Sequence, residues 1–342
     1  VQGFEQGPIR PPSEARSLLV RVNRNCPWNR CAFCPVYKGA RFSPRTADEV
    51  LSDLDAMRRA YGPDGPRTVF LQDANPLLLA TDELVRILEG LRERFPRVAR
   101  VTAYARARTL ARRPPEELAR LRAAGLDRLH VGLESGSDEV LALVDKGATR
   151  ADCLEAGRRA KAAGFELSCY VMPGLGGRTR SALHADETAS ALVVMRPDFV
   201  RLRTVAVVPG SGLARLAAEG RFAPCTEGEL VAEIRRLLDG LGELATRLES
   251  DHLLNLLMEL EGELPGERSW LLGLCDRFLT LPADEQARFV LTRRLGFMGR
   301  LEDYLRPEVR AELVRALEAE GLGDQALGRV EEIAGELRTR CL

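Results

Sequence analysis

FVRLRTV, residues 199–205, alternates between two kinds of side chain. Successive side chains on a strand point to opposite faces. Val200 and Leu202 therefore share one face, while Phe199, Arg201 and Arg203 share the other. Two further segments repeat this phase. In RLHVGLE (128–134), Leu129, Val131 and Leu133 oppose His130, Gly132 and Glu134. In RVTAYAR (100–106), Val101, Ala103 and Ala105 oppose Thr102, Tyr104 and Arg106. The apolar set must meet covering helices, which leaves a polar set on the opposite side. A doubly wound sheet is covered on both faces and reads as nearly continuous apolar runs. A closed eight-stranded barrel fills its interior with Val, Ile and Leu. Neither fits, so the phase predicts an α/β fold built as a partial, six-stranded TIM-like barrel with a polar lumen.

The rest of the chain supplies the other strands. SLLVRVN (17–23), RTVFLQD (67–73) and ELSCYVM (166–172) complete a set of six, and helical patterns such as TDELVRILEGLRERF and PEELARLRAAGL separate them. Several helices run into glycine, as in AAGL and AAGF, where a left-handed residue ends a helix at low cost. Strands alternating with helices imply parallel pairing through helical crossovers, a (β/α)6 unit. From about residue 216 the strand signal stops, and segments such as DHLLNLLMELEG and RPEVRAELVRALEAEGL read as amphipathic helices. The expected organisation is a short N-terminal extension (1–16), the partial barrel (17–215) and an α-helical C-terminal region (216–342).

Composition limits the function classes. Fifty basic residues balance fifty acidic ones over 342 residues, so no global field steers the chain to nucleic acid or a membrane. No apolar run approaches the roughly 20 residues of a membrane span, and no leader pattern is visible. Among the basic residues only Lys38, Lys146 and Lys161 are lysines. Each marks a place where a compact ammonium stands instead of a guanidinium fork. Cysteines stand at 26, 31, 34, 153, 169, 225, 275 and 341. The scattered five read as buried small apolar residues. One close cluster in a chain of this length suits a reducing cytosol with a single metal or cluster site, so a cytoplasmic protein is expected.

That cluster lies in NCPWNRCAFCPVYKG (25–39), directly after the first strand, spaced C-x4-C-x2-C. Thiolates select zinc, copper(I) or iron–sulfur clusters. A structural zinc ion takes four protein ligands, and a ferredoxin-type cluster takes four cysteines. Cys26, Cys31 and Cys34 make three. Three thiolates on a four-iron cluster leave one iron open to a substrate; with a distant fourth ligand they could instead hold zinc.

Cys26, Cys31, Cys34 and Phe33 before the last of them, HVGLESGS (130–137) on the fourth strand and VMPGLGG (171–177) after the fifth together resemble the radical SAM superfamily over about residues 15–215. The resemblance is to the branch holding the oxygen-independent coproporphyrinogen oxidases, the methylthiotransferases and the Elongator catalytic subunit. It implies an oxygen-sensitive enzyme whose [4Fe-4S] cluster, held by the three cysteines, binds S-adenosyl-L-methionine. One electron cleaves that sulfonium to a 5′-deoxyadenosyl radical, which abstracts hydrogen from the substrate. The resemblance also implies site roles: Glu134 for the nucleoside, Gly174 against adenine, and Lys146 in LVDKG for the methionine carboxylate. Asp73 and Asn75 in FLQDANP stand where many members carry Gly-Gly-Glu for the methionine amino group. Two departures are plain: the family's usual spacing is C-x3-C-x2-C, and Tyr104 and Tyr170 stand where some relatives place acidic contacts.

Other residues keep two readings each. Arg201 and Arg203 either pair with acids on the polar face or meet an anion, with Glu134, the S-adenosylmethionine carboxylate and a substrate carboxylate as candidates. Arg203, nearer the strand's C-terminal end, is the one expected to touch the bound cofactor or ligand. Lys38 and Tyr37 either shape the mouth of the cysteine loop or cover its surface. His252 caps a local turn or faces the barrel mouth. Tyr104, His130 and Tyr170 are the lumen candidates for catalysis, with no role assigned. The expected partners are a small-molecule or peptide substrate and an electron donor such as flavodoxin or ferredoxin. Modification of RNA and a non-catalytic zinc or iron–sulfur scaffold are the alternatives.

Overall fold

The computed structural model describes residues 3–62 and 64–339. Its main sheet has eight strands: β1 (Leu18–Arg21), β2 (Thr68–Gln72), β3 (Arg100–Ala105), β4 (Arg128–Glu134), β5 (Glu166–Val171), β6 (Phe199–Leu202), β7 (Thr246–Glu249) and β8 (Gly262–Leu264), in that spatial order. The first four pair in parallel. Helices form the crossovers, among them Ala47–Tyr61, Thr81–Arg94 and Arg150–Ala162. The sheet is thus mostly parallel and covered by helices, as the alternation of patterns predicts.

Register carries the phase from strand to strand. Val69 pairs with Val101 and Leu71 with Ala103, which in turn faces Leu129. All five are fully buried on the helix side. On the other side Phe70 pairs with Thr102, Thr102 with Arg128, and Tyr104 with His130. A slip of one residue would exchange these two sets, which is why the pattern specifies register so strongly. The covering helices start where their caps dictate. Thr46 and Glu49 form a reciprocal capping box for Ala47–Tyr61, as Thr149 and Asp152 do for Arg150–Ala162. Each box satisfies amide donors that the helix itself leaves unpaired. Val50, Leu54 and Met57 on the first helix and Leu84, Ile87, Leu88 and Leu91 on the second are buried. Such residues contribute about 1.5–3 kcal/mol apiece.

The C-terminal region differs from the sequence expectation in one respect. It is mainly helical, yet it adds β7 and β8, an antiparallel pair, to the sheet. At four and three residues these strands are too short for a period-two pattern to stand out.

The chain forms two compact units, interleaved in sequence. The first comprises the described residues up to Glu134, with Asp145–Tyr170 and Val194–Phe199. The second comprises Ser135–Val144, Val171–Val193 and the described residues from Val200 onward. Within the first unit, the N-terminal segment reaches the polar face of the sheet. The carboxylate of Glu14 is fully buried and lies 3.4 Å from His130 Nε2, with Ser17 Oγ 2.5 Å away. Burial opposes its charge, but the contacts with His130 and Ser17 outweigh that and hold its pKa below the ordinary value.

Candidate active site

The cysteine loop leaves β1 and is closed at its base by a two-stranded ribbon, Asn23–Arg24 against Ser43–Pro44. Two asparagines shape it from within. Asn25 and Asn29 adopt left-handed φ of 69° and 49°, a region that asparagine tolerates better than most residues. Asn25 Nδ2 donates to the Arg41 carbonyl at 2.6 Å, and Asn29 Nδ2 donates to that of Tyr37 at 2.5 Å. Asn29 lies within the longer cysteine spacing, so its left-handed turn takes up slack there.

Cys26, Cys31 and Cys34 are free thiols, each half-buried. Burial, helped by the Cys34, Glu134 and Cys26 charges, raises the Cys31 pKa to about 11 against the pull of Lys146. A loop that gathers three mutually repelling sulfurs in partial burial suits a cationic centre that takes them as thiolates. Among the described residues, no three His, Cys, Asp or Glu side chains are grouped to hold a single metal ion. Three cysteines are one short of the four protein ligands of a structural zinc ion or a ferredoxin-type cluster. The scattered cysteines behave as read. Cys153, Cys169, Cys225 and Cys275 are buried, burial raises the Cys225 and Cys275 thiols to about 12, and Cys341 lies outside the described residues.

Asp73 holds the loop in place. Its fully buried carboxylate accepts from Arg21 Nε at 2.8 Å, from the Asn25 backbone N–H at 3.0 Å and from the Tyr37 hydroxyl at 3.2 Å. Asn75, also buried, accepts from the Arg106 backbone N–H and donates to Thr109. Asp73 thus braces the loop, whereas Asn75 ties the end of β2 to the segment after β3. Tyr37, one candidate for shaping the loop's mouth, is buried beneath it, whereas Lys38 is exposed and donates to the Asn29 carbonyl.

Glu134 and Lys146 meet at 2.9 Å, both largely buried, and Lys146 Nζ lies 5.7 Å from the centre of the Phe33 ring. Burial disfavours the Lys146 ammonium, but the Glu134 carboxylate and then Cys31 outweigh it and raise its pKa. Gly132 makes room for the pair, since a Cβ there would stand 2.3 Å from Glu134 Oε1 and 2.9 Å from Lys146 Nζ. Trp28 ties the cysteine loop to the DKG turn. Its indole N–H donates to the Asp145 carbonyl at 2.7 Å, and its ring lies where a Cβ on Gly147 would be. Arg106, whose guanidinium lies over the same ring, donates to the Lys146 and Gly147 carbonyls.

The three lumen candidates also come together in the first unit. Ring centres lie 5.9 Å apart for Tyr104 and His130, 5.6 Å for His130 and Tyr170, and 6.4 Å for Tyr104 and Tyr170, with Phe70 at 4.9 Å from Tyr104. Sequence reasoning missed Trp28, Arg106, Glu14 and Asp73's organising role. Only Trp28 gave a local signal, as an aromatic inside the cysteine loop.

Gly174, Arg201 and Arg203 belong to the second unit. Gly174 has φ +83°, donates its N–H to Glu233 at 2.6 Å, and would clash with Leu230 if it carried a Cβ. His184 links the same turn to the segment after β4: its Nε2 donates to the Met172 carbonyl at 3.0 Å, and its Nδ1 lies 2.9 Å from Ser135 Oγ. Arg201 is buried and ion-paired with Glu249 and Asp251, both at 3.2 Å. These acids replace Glu134 as the partner considered from sequence, because Lys146 holds Glu134 and β7 was not foreseen. Arg203 is half-buried and makes no ion pair among the described residues. His252 Nδ1 accepts from the Leu254 N–H, the local turn contact expected for it.

The Radical SAM superfamily matches residues 20–187. A tRNA uridine(34) acetyltransferase from Methanocaldococcus infernus is 27% identical over 123 residues, 35% of this chain and 22% of that protein. The heme chaperone HemW from Mycobacterium tuberculosis is 27% identical over 249 residues, 69% of this chain and 62% of that protein. The chain therefore spans less than two thirds of either relative. The coproporphyrinogen III oxidase HemN from Escherichia coli, described as a radical SAM enzyme, superposes with a TM-score of 0.51 at 21% identity. That match covers 67% of this chain and 54% of HemN, and it supports the fold alone. Among the described residues, no helix is long and apolar enough to cross a membrane.

Proposed function

We propose, from the premise that this chain belongs to the radical SAM superfamily, that it abstracts hydrogen from a small-molecule or peptide substrate. As a member it is an enzyme that uses a [4Fe-4S] cluster and S-adenosyl-L-methionine. When bound, these supply a 5′-deoxyadenosyl radical by one-electron cleavage of the sulfonium. The observation that carries the reading is the joining of the three-cysteine loop to the Glu134–Lys146 pair through Trp28, Arg106 and the DKG turn.

The chain's own residues then divide the work. Cys26, Cys31 and Cys34 hold the cluster, and Asp73 keeps their loop against β1 through Arg21 and Asn25. Lys146 offers a compact charge for the methionine carboxylate, and Glu134 accepts from the nucleoside. Phe33 covers the Lys146 side. Asp73 serves this site through the loop it braces, and Asn75 holds the segment after β3 that carries Arg106. An electron donor such as flavodoxin or ferredoxin is the partner that such chemistry requires.

The test is anaerobic reconstitution with iron and sulfide, followed by reduction in the presence of S-adenosyl-L-methionine. About four irons per chain and formation of 5′-deoxyadenosine are expected. Zinc without sulfide, and no cleavage, would favour the scaffold instead. Modification of RNA is the second reading, favoured by the name of the acetyltransferase relative. Hydrogen loss from added tRNA and not from small molecules or peptides would select it.

A further inference from the structure

Arg201 and Arg203 leave β6 on the same face, yet their circumstances differ. Arg201 is committed: it is 2% exposed and lies 3.2 Å from both Glu249 and Asp251. Glu249 is further held by Arg247 at 2.8 Å. Arg203, two residues on, keeps its backbone in the sheet by donating to the Val171 carbonyl at 2.9 Å. Its guanidinium is half-buried and has no acidic partner among the described residues. A charge withdrawn from water is ordinarily paired. In a chain whose arginines are so widely ion-paired, an unpaired one at the C-terminal end of a barrel strand marks a place for a ligand.

A second donor stands with it. The loop after β7 is pinned to the end of β6, because Asn255 accepts from the Thr204 N–H at 2.9 Å and donates to the Leu202 carbonyl at 2.8 Å. That loop carries His252. Its Nδ1 accepts from the Leu254 N–H at 3.1 Å, so the proton of the neutral ring sits on Nε2, which donates to nothing among the described residues. Burial, and then the positive charge of Arg203, hold the His252 pKa down at about 4, so the ring is neutral near pH 7. An always-charged fork and a neutral N–H, both without acceptors, lie on segments locked together by Asn255.

We propose that Arg203 and His252 form a subsite for an anionic group of the substrate, a carboxylate or a phosphate. The guanidinium supplies charge and paired donors, and His252 Nε2 supplies one further N–H. Assigning the anion to the substrate rests on the functional reading above; binding of an anion at this place does not. A carboxylate could come from the substrate or from S-adenosyl-L-methionine itself. Lys146 already answers the second in the first unit, so the substrate is the source assigned here.

The test uses cluster-loaded, histidine-labelled protein under anaerobic conditions. The chain has only three histidines, so His130, His184 and His252 can be followed individually by NMR. Inorganic phosphate is titrated against sodium chloride at constant ionic strength and neutral pH. The His252 Nε2 signal should move and saturate while the other two stay fixed. Arg203→Met should weaken the apparent affinity at least about tenfold, and Arg203→Lys should recover part of it. The unmoved His130 and His184 signals report that each variant is folded. No saturable shift, a shift of all three signals, or an unchanged affinity in Arg203→Met would overturn the subsite. Saturation of the His252 shift by S-adenosyl-L-methionine alone would overturn its assignment to the substrate. Failure of the unaltered protein to form 5′-deoxyadenosine, with the phosphate shift intact, would sink the functional reading and leave the anion site standing.

Discussion

Replacing Arg201 with Met removes the cation that Glu249 and Asp251 share, while the methionine fills the volume of the arginine's stem. Removing one partner of a fully buried ion pair costs about 3–5 kcal/mol. Two features place this case lower. The acid side chains are 16% and 24% exposed, and Glu249 retains Arg247 at 2.8 Å. Asp251 bears most of the loss, so about 2–3 kcal/mol is expected, equivalent to a fall in Tm of about 3–4 °C for a chain of this length. The deficit should depend on pH. Burial raises the Asp251 pKa above the ordinary 3.8, with Arg201 pulling against it. Without Arg201 the folded-state pKa rises further. The native state then binds more protons than the unfolded state in the window above 3.8, so stability falls as pH rises through the folded value. The variant's deficit should therefore grow as pH rises from about 3.8 through the folded-state value. Thermal unfolding of both proteins, followed by circular dichroism under anaerobic conditions, measures this. A deficit below about 0.5 kcal/mol, or one that grows on acidification, would refute the assignment of Asp251 as the stranded charge.

Three shorter predictions concern the site. Cys26→Ala, Cys31→Ala or Cys34→Ala should abolish the visible absorption of a reconstituted cluster, whereas the same change at Cys153, Cys169, Cys225 or Cys275 should leave it; iron loss from a folded variant of the second group would overturn the ligand set. Lys146→Ala should keep the cluster but weaken S-adenosyl-L-methionine binding by roughly 1–3 kcal/mol in anaerobic calorimetry. Lys146→Arg should recover only part of that, and equal affinity in all three proteins would refute the role. Gly132→Ala should displace the flexible ends of Glu134 and Lys146 while preserving the backbone, so cofactor affinity should fall about tenfold with Tm nearly unchanged; loss of folding, or unchanged affinity, would contradict the geometry.

How much of this was legible depended on the range of each interaction. The two faces of the sheet were readable from FVRLRTV, RLHVGLE and RVTAYAR because a period of two repeats locally and parallel register transmits it from strand to strand. The same phase put Tyr104 and His130 on one face, and the family resemblance added Tyr170, which lies beside them. The acids on Arg201 were hidden, because they come from a four-residue strand and its following loop about fifty residues away. Trp28 on Gly147 was hidden too. Close approach across more than a hundred residues leaves no periodic trace in either segment. Asp73 was read as a ligand contact because its position after β2 was visible, while its three donors were not.

Backbone strain adds what neither periodicity nor composition could show. Five non-glycine residues among those described have positive φ, namely Asn25, Asn29, Glu134, Asp145 and Arg196. Four of them belong to the cysteine loop, the end of β4 and the DKG turn. Each such residue costs of order 1–3 kcal/mol and persists only where its surroundings over-determine it. Glu134 is the telling case, since a glutamate has no particular tolerance for φ of 62°. The strand turns sharply at its last residue, and the carboxylate comes to rest over Gly132 and against Lys146. Asp145 turns in the same left-handed sense one residue before that lysine, with its carbonyl fixed by Trp28. The strain thus falls on Glu134, on the residue before its partner Lys146, and on the loop that carries the thiols. A fold seeking only stability would place glycine or asparagine at such turns. Keeping a glutamate at the end of β4 fixes its charge against Lys146 ahead of any ligand, which is the arrangement that a preorganised cofactor site requires.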